Sequence, residues 1–115
     1  MPRFVILEHD HPFPHLDFMI EWGDTLRTWR LSARPTPGVT IAAEAIGDHR
    51  KQYLDYEGLV SGGRGRVKRW DAGHFSVESE SAVELRLKLS GDHVNGTVEL
   101  RQVRGGAWNW RLERT

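Results

Sequence analysis

Apolar and polar residues alternate in one short run after another along this chain, and turn residues separate the runs. A period of two puts successive side chains on opposite faces of a strand, so each run predicts a half-buried strand. The clearest is Val83 to Leu89, VELRLKL, with Val83, Leu85, Leu87 and Leu89 on one face. Ser90-Gly91 reads as its turn, Val94 to Val103 as the returning strand, and Ala107 to Leu112 as the last strand. Upstream, Arg3 to Glu8, His15 to Trp22 and Thr25 to Leu31 read as strands, with Gly23-Asp24 as a hairpin turn. Ala33 to Gly38 reads as a loop, because its two prolines lack ladder donors. Val39 to Ile46 reads as strand, although Ala42-Ala43-Glu44-Ala45 also suits a helix. Gly47 to Glu57 is irregular and polar, and Ser61 to Gly65 is a glycine-rich loop. Gly65 to Phe75 predicts a strand broken at Asp71-Ala72-Gly73.

Strands and turns at this spacing predict a sandwich or barrel. The expectation is an all-β fold with at most a minor helix. It is a single small closed barrel of about eight mainly antiparallel strands, since closure removes exposed sheet edges. The 115 residues suit one domain, and no composition shift divides residues 1–115. Five tryptophans, four phenylalanines and two tyrosines supply buried area in a chain that is only 38% hydrophobic. Trp108 and Trp110, two apart on the last strand, suit either a barrel core or base stacking, and the core is the commoner home.

Several function classes drop out. The chain lacks cysteine, which excludes disulfides, thiolate-zinc sites and thiol catalysis. Sixteen Lys+Arg balance sixteen Asp+Glu, so a strongly basic coat is absent, though a local basic patch is not. The apolar run near the start, Phe4 to Leu7, is too short for a signal peptide or a membrane span. A cytoplasmic protein with no membrane association is the expectation. No G-x-x-x-x-G-K-[ST] or G-x-S-x-G occurs, so neither a nucleoside-triphosphate loop nor an acyl-transfer serine is signalled.

Three histidines crowd one segment: His9, His11 and His15, followed by Asp17. His15 and Asp17 share a strand face, and His9 ends the preceding strand. Two imidazoles and a carboxylate brought together by a hairpin suit zinc, manganese or iron. On spacing alone His11 serves as well as His9, and all of them are also ordinary loop residues. A second cluster holds Asp48, His49, Tyr53, Asp55, Tyr56 and Glu57. His49 suits a general acid or a phosphate contact, against a solvated loop whose tyrosines pack on the barrel. Arginines form the third element: Arg64, Arg66 and Lys68 at alternate positions with Arg69 beside them, and Arg27, Arg30 and Arg34 on and after the third strand. Guanidinium forks match phosphate oxygens, but a solvated strand face has the same composition.

These pieces resemble one family. Phe4-Val5-Ile6-Leu7-Glu8-His9-Asp10, followed by His15-Leu16-Asp17-Phe18, is similar to the opening of the 3'-phosphoesterase domain of bacterial DNA ligase D. Asp48-His49, Tyr53-Leu54-Asp55-Tyr56-Glu57-Gly58 and Trp70-Asp71-Ala72-Gly73 resemble its later blocks, and Leu87 to Leu100 and Trp108 to Leu112 its closing strands. The resemblance implies a β-barrel that removes a 3'-phosphate or 3'-terminal ribonucleotide from nucleic-acid ends in DNA repair. It implies manganese, with zinc as a second candidate, held by His9, His15 and Asp17. It implies His49 at the phosphate with Tyr53 in the same pocket, and a ligase or polymerase as possible partners in trans.

The chain also departs from that pattern. Met19 stands where the family carries an arginine, Gly47 where it carries an acid, and Arg50 where it carries proline. Ala33 and Ile41 are apolar where the family implies further basic contacts. Arg30, Arg34, Arg50, Arg64 and Arg66 are the arginines expected to meet phosphate instead. Two functions follow: a metal-dependent 3'-phosphoesterase, or a catalytically impaired module of the same fold that binds nucleic-acid ends or a protein.

Overall fold

The computed structural model describes residues 1–114. The strands are β1 (Arg3–His9), β2 (His15–Trp22), β3 (Thr25–Leu31), β4 (Thr40–His49), β5 (Gly58–Leu59), β6 (Arg66–Glu80), β7 (Glu84–Gly91), β8 (Asn95–Arg104) and β9 (Ala107–Glu113). A single 3-10 turn, Lys51–Leu54, interrupts them among the described residues. No helix among those residues is long and apolar enough to cross a membrane. The sheet order is β1-β2-β3-β4-β9-β8-β7-β6, and pairing of β1 with β6 closes an eight-stranded antiparallel barrel. The ninth strand, β5, adds to β6 outside that circuit.

Alternation holds best where one face is wet. On β7, Leu85, Leu87 and Leu89 point into the core, where Val98 and Leu100 of β8 and Trp108, Trp110 and Leu112 of β9 meet them. Trp108 and Trp110 are core residues, 8% and 0% exposed. β1 departs from the pattern, because Phe4 to Leu7 are all buried. Phe4 and Ile6 enter the barrel core, while Val5 and Leu7 join a second apolar cluster with Met19, Leu26, Leu54 and Val67. The segment from the 3-10 turn to Val60 packs over that outer wall, so β1 is covered on both faces.

The stretch that also suited a helix is strand, as expected, because β4 lies between β3 and β9 and both its edges are paired. Three local expectations change. Of the stretch expected to be irregular, Gly47 to His49 extend β4 and the 3-10 turn follows. β6 does not break at Asp71-Ala72-Gly73 but runs through to Glu80. The register against β1 shifts there, with Ile6 opposite Asp71 and Leu7 opposite Arg69, so Trp70 is the extra residue of a bulge. Asp71 is 2% exposed, and its carboxylate accepts the N–H groups of Ala72, Asp92, His93 and Val94. A side chain at Gly73 would collide with the Ser90 carbonyl, so glycine permits β6 and β7 to approach. Finally, Ser90 and Gly91 belong to β7, and the β7–β8 connection is the stretch that Asp71 holds.

Candidate metal centre and its cleft

The hairpin β1–β2 sets His9 directly opposite His15 and Leu7 opposite Asp17. Val5 and Leu7 of β1 and Met19 of β2 lie in the outer cluster, so by alternation His9, His15 and Asp17 also project from the outer wall of the barrel. Their ligand atoms all lie within 4.8 Å of one another. His9 Nδ1 stands 3.4 Å from Asp17 Oδ2, and His15 Nε2 3.1 Å from Asp17 Oδ1. The two imidazole rings are 5.0 Å apart.

The other ring nitrogens are held by backbone carbonyls. His15 Nδ1 lies 2.8 Å from the Phe13 carbonyl, and His9 Nε2 lies 2.8 Å from the Arg64 carbonyl. A carbonyl accepts only, so those nitrogens donate, and a neutral ring in this position turns its remaining lone pair toward Asp17. Among the described residues, His15 Nε2 and Asp17 Oδ1 are buried without a hydrogen-bond partner. Acceptors facing one another in a dry site are costly unless a cation lies between them. Two imidazoles fixed by carbonyls and one carboxylate therefore fit a divalent ion, with open positions left over. His11, the spacing alternative, lies in the loop and lines the cleft without joining the trio.

A cleft of about 460 Å³ opens beside this centre, between the barrel wall and the covering segment. His9, Asp17, Arg30, His49, Arg50 and Tyr53 all line it, with Met19 as an apolar neighbour. β4 places His49 opposite Leu26, at the point where the chain leaves the barrel for the 3-10 turn. Its Nδ1 is 2.9 Å from the Gly47 carbonyl and donates to it, and no hydrogen bond engages Nε2 among the described residues. Tyr53 packs against the outer apolar cluster and meets the His49 ring edge-on at 5.7 Å. The expectation that this tyrosine packs on the barrel and the expectation that it shares a pocket with His49 are thus both met by one position.

The arginines divide. Arg30 lies opposite Asp17 in the β2–β3 register, and its Nε is buried without a partner among the described residues. Arg50 lines the same cleft. Arg64 also lines it, but its guanidinium donates to the Ser61 carbonyl and hydroxyl, and its carbonyl accepts from His9. Arg34 and Arg66 are not brought into the cleft; they line a neighbouring depression with Glu8 and Lys68, and Arg34 pairs with Glu8 at 3.1 Å. Met19, standing where an arginine is expected, is 1% exposed among Val5, Leu26 and Leu54.

Electrostatic support reaches the covering segment from the opposite end of β1. Arg3 Nη2 donates to Asp55 Oδ1 at 2.7 Å. This bond holds the Asp55 carboxyl below its ordinary value and raises the Arg3 guanidinium above its own.

Sequence reasoning missed two supports. Phe13 stands against His15 with ring centroids 5.6 Å apart, and the Arg30 guanidinium lies 5.4 Å from the Phe13 ring centre. An aromatic between two prolines signals nothing by itself. The Arg64 carbonyl is the second, and its trace is the glycine loop. Gly65 sits at φ +78°, and a side chain there would collide with the Asp10 carboxylate, which accepts the Arg66 N–H at 2.7 Å.

Comparison with known proteins finds relatives over nearly the whole chain. The multifunctional non-homologous end joining DNA repair protein LigD of Mycobacterium tuberculosis is 29% identical over 114 residues, covering 91% of this chain. The multifunctional non-homologous end joining protein LigD of Pseudomonas aeruginosa is 30% identical over 122 residues, covering 96% of this chain. The chain spans only 15% and 14% of the length of those two relatives. Residues 7–102 match the DNA Ligase D 3'-phosphoesterase domain, a stretch that holds the trio, the cleft and most of the barrel wall. The chain belongs to that domain family.

Proposed function

We propose that this chain is a metal-dependent 3'-phosphoesterase that removes a 3'-phosphate or a 3'-terminal ribonucleotide from nucleic-acid ends for DNA repair. One observation carries the reading: in a chain of this family, His9 Nδ1 and His15 Nε2 converge on the buried Asp17 carboxylate while their other ring nitrogens are held by backbone carbonyls. Manganese is the ion we assign to them, and zinc the second choice. Such an ion supplies Lewis-acid polarisation of a phosphate oxygen.

The remaining work falls to side chains of the cleft. Hydrolysis forms a bond from a water oxygen to phosphorus and breaks the bond between phosphorus and the sugar oxygen, which leaves with a proton. His49, as the imidazolium with Nδ1 donating to the Gly47 carbonyl, delivers that proton from Nε2, and the proton lost by the attacking water restores the balance. Tyr53 holds the imidazole edge-on. Arg30 and Arg50 neutralise the charge that builds on the phosphoryl oxygens. Arg34 and Arg66, across the trio, meet phosphates further along the strand. The relatives are named as multifunctional and are several times longer, which supports a ligase or polymerase as the partner that uses the trimmed end.

Met19 favours a second reading. Apolar and buried beside the cleft, it offers no hydrogen bond to phosphate, which suits a module that holds ends without turning them over. The deciding experiment follows phosphate or nucleoside release from 3'-phosphate and 3'-ribonucleotide primer-templates, with manganese, zinc or chelator. Metal-dependent release that disappears in His15→Ala supports the enzyme. End binding without release supports the module.

A further inference from the structure

Beyond the cleft lies a second concavity, of about 470 Å³, that the function above does not use. We propose that it holds the base of the 3'-terminal nucleotide, whose phosphate lies in the metal cleft; this rests on the phosphoesterase reading.

The two concavities share a wall. His9 and Asp17 line the cleft and His15 lines the second hollow, so the trio separates them. Arg30 lines both. A nucleotide with its phosphate on one side of Arg30 and its base on the other therefore spans neighbouring sites rather than distant ones.

The hollow suits a flat, apolar group attached to an anion. Ala42, Ala43 and Ala107 give it small apolar walls, and Phe13 stands at its rim. Phe13 is 52% exposed although its ring packs edge-on against His15, so aromatic surface remains open to a ligand. One of its faces is near Arg30, and a nucleobase can stack on an exposed aromatic surface whatever its identity. Charge agrees: Arg30 and Arg104 outnumber Glu44 among the lining residues. Glu44 is a poor competitor for Arg30, since it is 3.9 Å away and its side chain is 63% exposed.

The test compares the affinity of the whole chain for two oligonucleotides by fluorescence anisotropy, with manganese present. Both end in a 3'-phosphonate, whose carbon–phosphorus bond resists hydrolysis, and one lacks the terminal base. The base-bearing end is expected to bind about tenfold tighter, the worth of one stacked base. Phe13→Ala is expected to erase that preference, and Phe13→Trp to keep it. Equal binding of both ends by the unaltered chain overturns the proposal, as does a preference that survives in Phe13→Ala. Failure to bind either oligonucleotide removes the nucleic-acid reading itself, whereas binding without base preference removes only this inference.

Discussion

His15 Nε2 and Asp17 Oδ1 face one another at 3.1 Å, both buried, with no hydrogen bond between them. They are two residues apart on one strand, so the backbone fixes this proximity and neither side chain can leave without repacking. The pair is stable only with a cation or a proton between the two atoms.

Asp17→Asn tests that relationship. An asparagine amide donates to the imidazole lone pair, so the metal-free variant is expected to be no less stable than the unaltered chain. Manganese at about 100 times its Kd should raise the unfolding free energy of the unaltered chain by about 2.7 kcal/mol. The same addition should leave Asp17→Asn unmoved in urea titrations.

Arg30 is the arginine best placed to replace the one absent at Met19. Arg30→Ala is expected to lower kcat/KM for 3'-phosphate release about a hundredfold, the scale for losing one donor to a developing oxyanion. Adding Met19→Arg to Arg30→Ala should recover part of that loss, because both positions open on one cleft. Steady-state release by the single and double variants decides it.

For His49 the expectation separates chemistry from folding. Among the described residues its side chain bonds to the Gly47 carbonyl two residues away and to nothing further. His49→Ala should therefore keep the thermal midpoint within a few degrees while single-turnover phosphate release slows at least about a hundredfold.

Asp71 is the structural counterpart of that case. Four backbone N–H groups point at its carboxylate. Bonds to a charged acceptor contribute roughly 1.5–3 kcal/mol each, though not additively, so Asp71→Ala is expected to cost at least about 3 kcal/mol. Equilibrium unfolding in urea measures the loss.

The Arg3–Asp55 ion pair makes the covering segment sensitive to acid. The folded Asp55 carboxyl lies below its ordinary value of 3.8, so the folded state binds that proton less readily than the unfolded chain. The pair's contribution is therefore full above the ordinary value and is lost as pH falls through the lower, folded value. Amide exchange in residues 51–57 should be faster in Asp55→Asn than in the unaltered chain near neutral pH. The two rates should converge once the solution is more acidic than the folded carboxyl.

Much of the site was legible because strands convert spacing into geometry. His15 and Asp17 must share a face on any strand, and the turn-rich, alternating sequence leaves a barrel as the natural way to bury so many strands. Trp108 and Trp110 likewise entered the core from the face that alternation gave them. The residues alone marked His49 and Tyr53 as a second cluster, and the resemblance joined that cluster to the hairpin, which no periodicity does.

Local sequence by itself determined most of the strands, most of their turns and the shared facing of His15 and Asp17, because each depends on neighbours a few residues apart. Tertiary structure decided what depends on distant partners. It chose His9 over His11, since only His9 ends β1 opposite His15 and meets the Arg64 carbonyl. It kept β6 continuous through Asp71 and Gly73, where local signals read as a break, because the buried carboxylate ties down a connection 21 or more residues away. It also divided the arginines, gathering Arg30, Arg50 and Arg64 around one cleft and leaving Arg34 and Arg66 beyond it. Closure of β1 on β6 makes those choices, and closure is a long-range pairing that no short window of residues contains.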